Sequence, residues 1–172
     1  MSEISPHVTI ALAAIHAYIT KGLVINIPED VSKDLLSTSA GAFVCLKMNG
    51  DLRGCIGTIM PARECLAEEI ITNAISAAVN DPRFLPVEPH ELSELECSVD
   101  VLCPAEEISC TTELDPKRYG VIVECGMKRG LLLPDLEGVD TAEDQIDIAR
   151  RKAFIKPTDP FKLYRFEVKR YK

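Results

Sequence analysis

The pair Asn49-Gly50 limits what this chain can fold into more than any other feature. It stands between two apolar runs, Ala42-Phe43-Val44-Cys45-Leu46-Lys47 and Leu52-Arg53-Gly54-Cys55-Ile56-Gly57-Thr58. Asn and Gly tolerate positive φ, so the pair predicts a two-residue type I′ turn, whose twist suits an antiparallel hairpin. With Asn49 and Gly50 as the loop, Leu46 is expected opposite Arg53 and Val44 opposite Cys55. Arg53 and Cys55 then share one face of the sheet, and Leu52, Gly54 and Ile56 share the other. Two glycines weaken an apolar strand unless something approaches the backbone closely or the strand bulges. One short strand thus gathers a guanidinium, a thiol and two bare backbone positions.

Two chemistries suit that strand. In the first, Cys55 is a nucleophile. A cysteine attacks as thiolate, and a cation such as Arg53 lowers a thiol pKa from its free value of about 8.5. Gly54 and Gly57 would let a substrate reach main-chain amides, as an oxyanion site requires. Against this, free cysteine routinely serves as a small buried hydrophobe. No histidine can be placed beside it, since His7, His16 and His90 fall on predicted helices or loops. In the second, Arg53 and Arg83 form a cradle for a small anionic ligand, with Asp81 holding one guanidinium in a bidentate pair. The same three residues also describe an ion-pair clamp between a loop and the sheet.

Other site chemistries find no support. Cysteines 45, 55, 65, 97, 103, 110 and 125 include no close pair at zinc spacing, so no metal site is expected. Gly54-x-x-Gly57 matches an RNA-clamping loop in spacing only, because here it lies in a predicted strand of an acidic protein. There is no dinucleotide fingerprint, phosphate loop or serine-centred elbow, and hence no expected cofactor.

The remaining chain alternates helices and strands without strict βαβ order. Ser5-Pro6 is a good helix start, with Val8, Leu12, Ile15 and Ile19 on one face and Lys21-Gly22 at the end. Pro61 is expected to open a second helix reaching Asn80, where Asp81-Pro82 stops it. Cys97, Val99 and Val101 alternate with polar neighbours as a half-buried strand. Residues 103–117, rich in Pro, Thr and acids, are the place for a small second lobe. Tyr119 to Glu124 and Gly130 to Leu133 read as a second hairpin. Thr141 caps a third helix with Asp144 in the capping-box position, and Tyr164 to Lys169 read as one closing strand. The expected class is α+β: a mostly antiparallel or mixed central sheet, packed by about three helices, in a single domain over residues 1–172.

Charge narrows the partners. The net charge of −8 argues against general nucleic-acid binding, which needs a basic surface. It is uneven: residues 150–172 sum to +7 and the first 149 to −15, so the basic end is expected to pack along an acidic body. No apolar run approaches the roughly 20 residues that span a bilayer. Met1-Ser2-Glu3 lacks a secretory start, and seven cysteines without a framework fit a reducing compartment, so the expected location is cytoplasmic.

The run Leu52-Arg53-Gly54-Cys55-Ile56-Gly57-Thr58 resembles the signature of the AMMECR domain family. So do Asn80-Asp81-Pro82-Arg83-Phe84, Glu91-Leu92 before Leu95-Glu96-Cys97-Ser98-Val99, Arg129-Gly130-Leu131-Leu132-Leu133-Pro134, Arg151-Lys152-Ala153 and Tyr164-Arg165-Phe166, in order and spacing. Many relatives carry a longer segment before the last helix, often with a cysteine where Arg150 stands here, so no role for that cysteine carries over. The resemblance implies partnership with a Memo-like protein and a radical SAM enzyme. In that set the domain is either a substrate- or partner-binding accessory, with a groove at the LRGCIG strand, or an enzyme using Cys55 activated by Arg53. Composition and spacing do not separate the two.

Overall fold

Ser5 and Pro6 start the first helix as their chemistry dictates. In the computed structural model, which describes residues 4–172, the Ser5 hydroxyl accepts from the Val8 N–H, and helix α1 (Pro6–Lys21) ends on Gly22 in the left-handed region. Its Val8, Ile10, Ala11, Ala14 and Ile15 are buried, while His16 faces solvent. The polar stretch after it holds one short helix, α2 (Lys33–Ser37).

Two compact units divide the chain: residues up to Val101 with Arg170–Lys172, and Leu102–Lys169. The first is built on the Asn49-Gly50 hairpin. Strand β1 (Ala42–Met48) pairs antiparallel with β2 (Asp51–Gly57), and both turn residues have positive φ, +53° and +84°, as a type I′ turn requires. Strand β3 (Leu95–Leu102) pairs with the other edge of β1. Alternation on β1 buries Ala42, Val44 and Leu46 in a core with the inner rows of α1 and of α3 (Leu66–Val79). A 3-10 turn (Pro89–Glu94) leads into β3. The sheet order is β2-β1-β3-β8, with β8 spanning Val168–Tyr171.

Helix α3 begins five residues later than Pro61 predicts. The cause is Glu69, whose buried carboxylate accepts from the Ala62 and Arg63 amides, the Thr58 hydroxyl and the Asn73 amide. A buried carboxylate needs such donors, and the amides of residues 62 and 63 face it only if the chain bends before entering the helix. His7 is also buried, its ring stacked on Tyr171 with centroids 3.6 Å apart. Burial pushes the imidazole below its ordinary pKa, opposed by the nearby Asp34 charge.

The second unit repeats the plan of hairpin followed by helix. Strands β5 (Gly120–Cys125) and β6 (Lys128–Leu132) join through Gly126-Met127, with Gly126 at φ +58°. Helix α4 (Ala142–Lys152) follows, with the Thr141 hydroxyl bonded to both the amide and the carboxylate of Asp144. Its Ile146 and Ala149 are buried with Val121, Val123 and Leu132. Residues 103–117 contribute β4 (Glu106–Ile108) and a 3-10 turn (Thr111–Glu113). With β7 (Lys162–Phe166) the sheet order is β4-β7-β5-β6.

The class is α+β, carried by two four-stranded sheets rather than one. The expected single closing strand is two strands, because the ladder breaks at Glu167, whose carbonyl accepts from the Cys103 amide. The basic end meets acids as expected: Arg165 with Glu106 and Lys162 with Glu107 in the second unit, and Arg170 with both oxygens of Asp100 in the first. No described helix is long and apolar enough to cross a membrane.

Candidate functional site

Strand β2 is an edge strand, and every second residue of an edge offers an unpaired N–H and C=O. At Cys55 both are taken by side chains. The Cys55 amide donates to Asp81 Oδ2 (2.9 Å), and the Cys55 carbonyl accepts from Arg83 Nη2 (3.3 Å). Arg83 in turn donates from Nε to Asp81 Oδ1 (2.9 Å) and from Nη2 to Asp81 Oδ2 (2.7 Å). Asp81-Pro82-Arg83 therefore clips the edge as a neighbouring strand would. The Arg83 guanidinium and the two amides hold the Asp81 carboxyl far below the ordinary carboxylate range. The Asp81 side chain is almost fully buried, whereas Arg83 is 54% exposed.

Arg53 makes the second attachment. Its Nε and Nη2 donate to the two oxygens of Glu91 (both 2.8 Å), Nη1 donates to the Leu85 carbonyl (2.9 Å) and Nη2 to the Pro86 carbonyl (3.3 Å). Glu91 also accepts from the Glu88 amide. Both partners of the ion pair are largely buried, at 14% and 11% exposure. The guanidinium lowers the Glu91 carboxyl to about 2, and the Arg53 pKa rises in return.

These attachments correct the expected register. The ladder shifts by one residue between Leu46 and Lys47, so Leu46 lies opposite Gly54 and Cys45 opposite Cys55. Arg53 is the extra residue of a β-bulge, a device that re-aims a side chain, and here it turns to the 85–91 segment. Arg53 and Cys55 are thus not brought together. The cation acting on Cys55 is Arg83, and it is outweighed: the hydrogen bond to Cys45 and burial raise the Cys55 thiol pKa far above normal. The same hydrogen bond lowers Cys45 to about 7. Cys97, opposite Leu46 on the core side, is pushed up by burial to about 12.

The glycines answer to packing. A Cβ on Gly54 would lie 2.1 Å from the Ala77 carbonyl oxygen of α3, and one on Gly57 would enter the Phe43 ring. Neither position leaves space for a substrate against the strand. All seven cysteines are free thiols, and among the described residues no group of three His, Cys, Asp or Glu could hold a metal ion. A recess of about 350 Å³ lined by Glu124, Cys125, Gly126, Pro160, Phe161 and Lys162 lies in the second unit.

Sequence reasoning missed Glu91 and Cys45. Glu91 was visible as an acid in the matched segment, but nothing local tied it to Arg53, 38 positions away. Cys45 became the partner of Cys55 only through the bulge.

A model of the family described as AMMECR1 matches residues 8–172. A protein of Thermotoga maritima is 52% identical over 169 residues, covering 97% of each chain. The protein CA_C1420 of Clostridium acetobutylicum is 48% identical over 99% of this chain, which spans only 36% of that longer protein. Among solved structures, the uncharacterized protein PH0010 from Pyrococcus horikoshii superposes with a TM-score of 0.87 at 35% identity, covering 95% of this chain and 88% of its own.

Proposed function

The chain belongs to the AMMECR1 family, and from that premise we propose that it is a binding accessory in which Arg83, clamped beside the β2 signature strand, takes a partner or a small anionic ligand. The observation that carries this reading is the unequal use of the two arginines. Arg53 is spent on Glu91 and two carbonyls, whereas Arg83 is held rigidly by Asp81 yet half exposed, and its Nη1 makes no hydrogen bond with the described residues. A guanidinium pre-oriented in this way can offer the two N–H donors of Nη1 to a carboxylate or phosphate at little entropic cost. The partners proposed are those the family resemblance implies, a Memo-like protein and a radical SAM enzyme, and a cytoplasmic setting goes with them. The nucleophile reading has less support, since Arg53 is directed away from Cys55 and the Cys55 thiol is made less acidic.

The test is calorimetric titration of the purified chain against each of those two proteins. Arg83→Ala is expected to weaken binding by about 2 kcal/mol, roughly thirtyfold in Kd. Arg83→Lys should restore it only in part, and Cys55→Ala should leave it nearly unchanged. Equal affinity of Arg83→Ala and wild type, with the fold intact, would contradict the reading.

A further inference from the structure

Cys45 and Cys55 face each other directly across β1 and β2. The Cys55 amide is given to Asp81 and its carbonyl to Arg83, so neither group bonds across to Cys45. This is therefore the non-hydrogen-bonded kind of antiparallel pair, in which Cα atoms lie about 4.5 Å apart and side chains approach most closely. Disulfides span Cα separations of about 4.4–6.8 Å, a range that includes the spacing of such a pair. Both thiols are partly exposed. No other cysteine belongs to this pair: Cys97 lies opposite Leu46 and packs on the core side.

We propose that Cys45 and Cys55 form a dithiol site for thiol–disulfide exchange whose substrates are small-molecule disulfides. Cys45 is the attacking sulfur, because the hydrogen bond from Cys55 stabilises its thiolate near neutral pH. Its Sγ bonds to one sulfur of the disulfide, the S–S bond breaks, and the first small thiolate leaves and takes up a proton. The mixed disulfide on Cys45 is no longer a thiolate, which relieves the influence of Cys45 that raised the Cys55 pKa. Cys55 then loses its proton to solvent and attacks Cys45 Sγ, releasing the second small thiol and closing a Cys45–Cys55 disulfide. Two protein thiols are oxidised and one small disulfide is reduced to two thiols. The strand edge stays clipped throughout, since Asp81 and Arg83 hold the Cys55 backbone rather than its sulfur.

Oxidised glutathione is the probe, with disulfides mapped by peptide mass and folding checked by circular dichroism. The folded wild type should yield a Cys45–Cys55 linkage that a dithiol reductant reverses. Cys55→Ser should trap glutathione on Cys45, and Cys45→Ser should leave Cys55 unmodified. Exposed Cys110 serves as the internal comparison for simple accessibility. The proposal is overturned if the folded wild type forms no Cys45–Cys55 linkage while Cys110 is modified. It is also overturned if Cys55 takes glutathione in the Cys45→Ser protein as fast as Cys45 does in Cys55→Ser. Loss of partner binding on changing Arg83 bears on neither outcome.

Discussion

Replacing Gly54 by alanine is expected to destabilise the first unit by about 3 kcal/mol or more, at the upper end of what overpacking costs. The added Cβ would stand 2.1 Å from the Ala77 carbonyl oxygen, which belongs to the α3 backbone and cannot swing aside as a side chain does. Either β2 lifts from the helix or α3 shifts, and both disturb the core around Ile70, Ala74, Val44 and Leu46. The usual gain of roughly 0.5–1 kcal/mol for alanine over glycine in an ordered element is too small to compensate. Gly130→Ala should act alike in the second unit, where the Cβ would lie 2.0 Å from the Ala149 carbonyl oxygen. Hydrogen exchange separates the two: each variant should lose protection first in its own hairpin and helix. A Gly54→Ala protein with a wild-type urea midpoint would show that the helix does not rest on this strand.

Arg53→Met is expected to cost about 3–5 kcal/mol, because it leaves the largely buried Glu91 carboxylate without its cation. The pH dependence identifies the pair. Glu91 is lowered from 4.5 to about 2 in the folded chain, so its contribution is fully present above 4.5 and is lost as pH falls toward 2. The stability gap between wild type and Arg53→Met should therefore be widest above pH 4.5 and close on acidification. A gap that stays constant over that window would assign the loss to packing of the arginine stem instead. Arg53→Lys keeps the charge but not the fork that reaches both Glu91 oxygens and two carbonyls, and should recover only part of the loss.

Local chemistry made much of the fold legible. Asn49-Gly50 specified the turn through its backbone freedom, Ser5-Pro6 and Thr141 marked helix starts, and alternation along Val44, Leu46, Val99 and Val101 marked the buried faces. Failures came where a distant side chain overrode the local rule. Proline at position 61 favours a helix start, yet Glu69 needs the neighbouring amides and delays it. A two-residue turn predicts an unbroken ladder, yet Arg53 leaves the ladder to reach Glu91 and shifts Cys55 from Val44 to Cys45. Two glycines in an apolar strand call for a close approach or a bulge, and what approaches is the protein itself: α3 at Gly54 and the Phe43 ring at Gly57. At the candidate site, Asp81, Arg83 and Arg53 were visible by residue type, and the clamp was among the arrangements their chemistry allows. Which guanidinium each acid would hold depended on the three-dimensional path of residues 81–91.

Arg53 secures the signature strand and does not activate Cys55. The alkylation rate of each cysteine, resolved by peptide mass, in the folded wild type and in Arg53→Met at near-neutral pH tests this role of Arg53. Cys45 is expected to react well ahead of Cys55, and under conditions where both proteins remain folded Cys55 is not slowed by loss of Arg53. A Cys55 that reacts fastest of the seven, and slows when Arg53 is replaced, would contradict it.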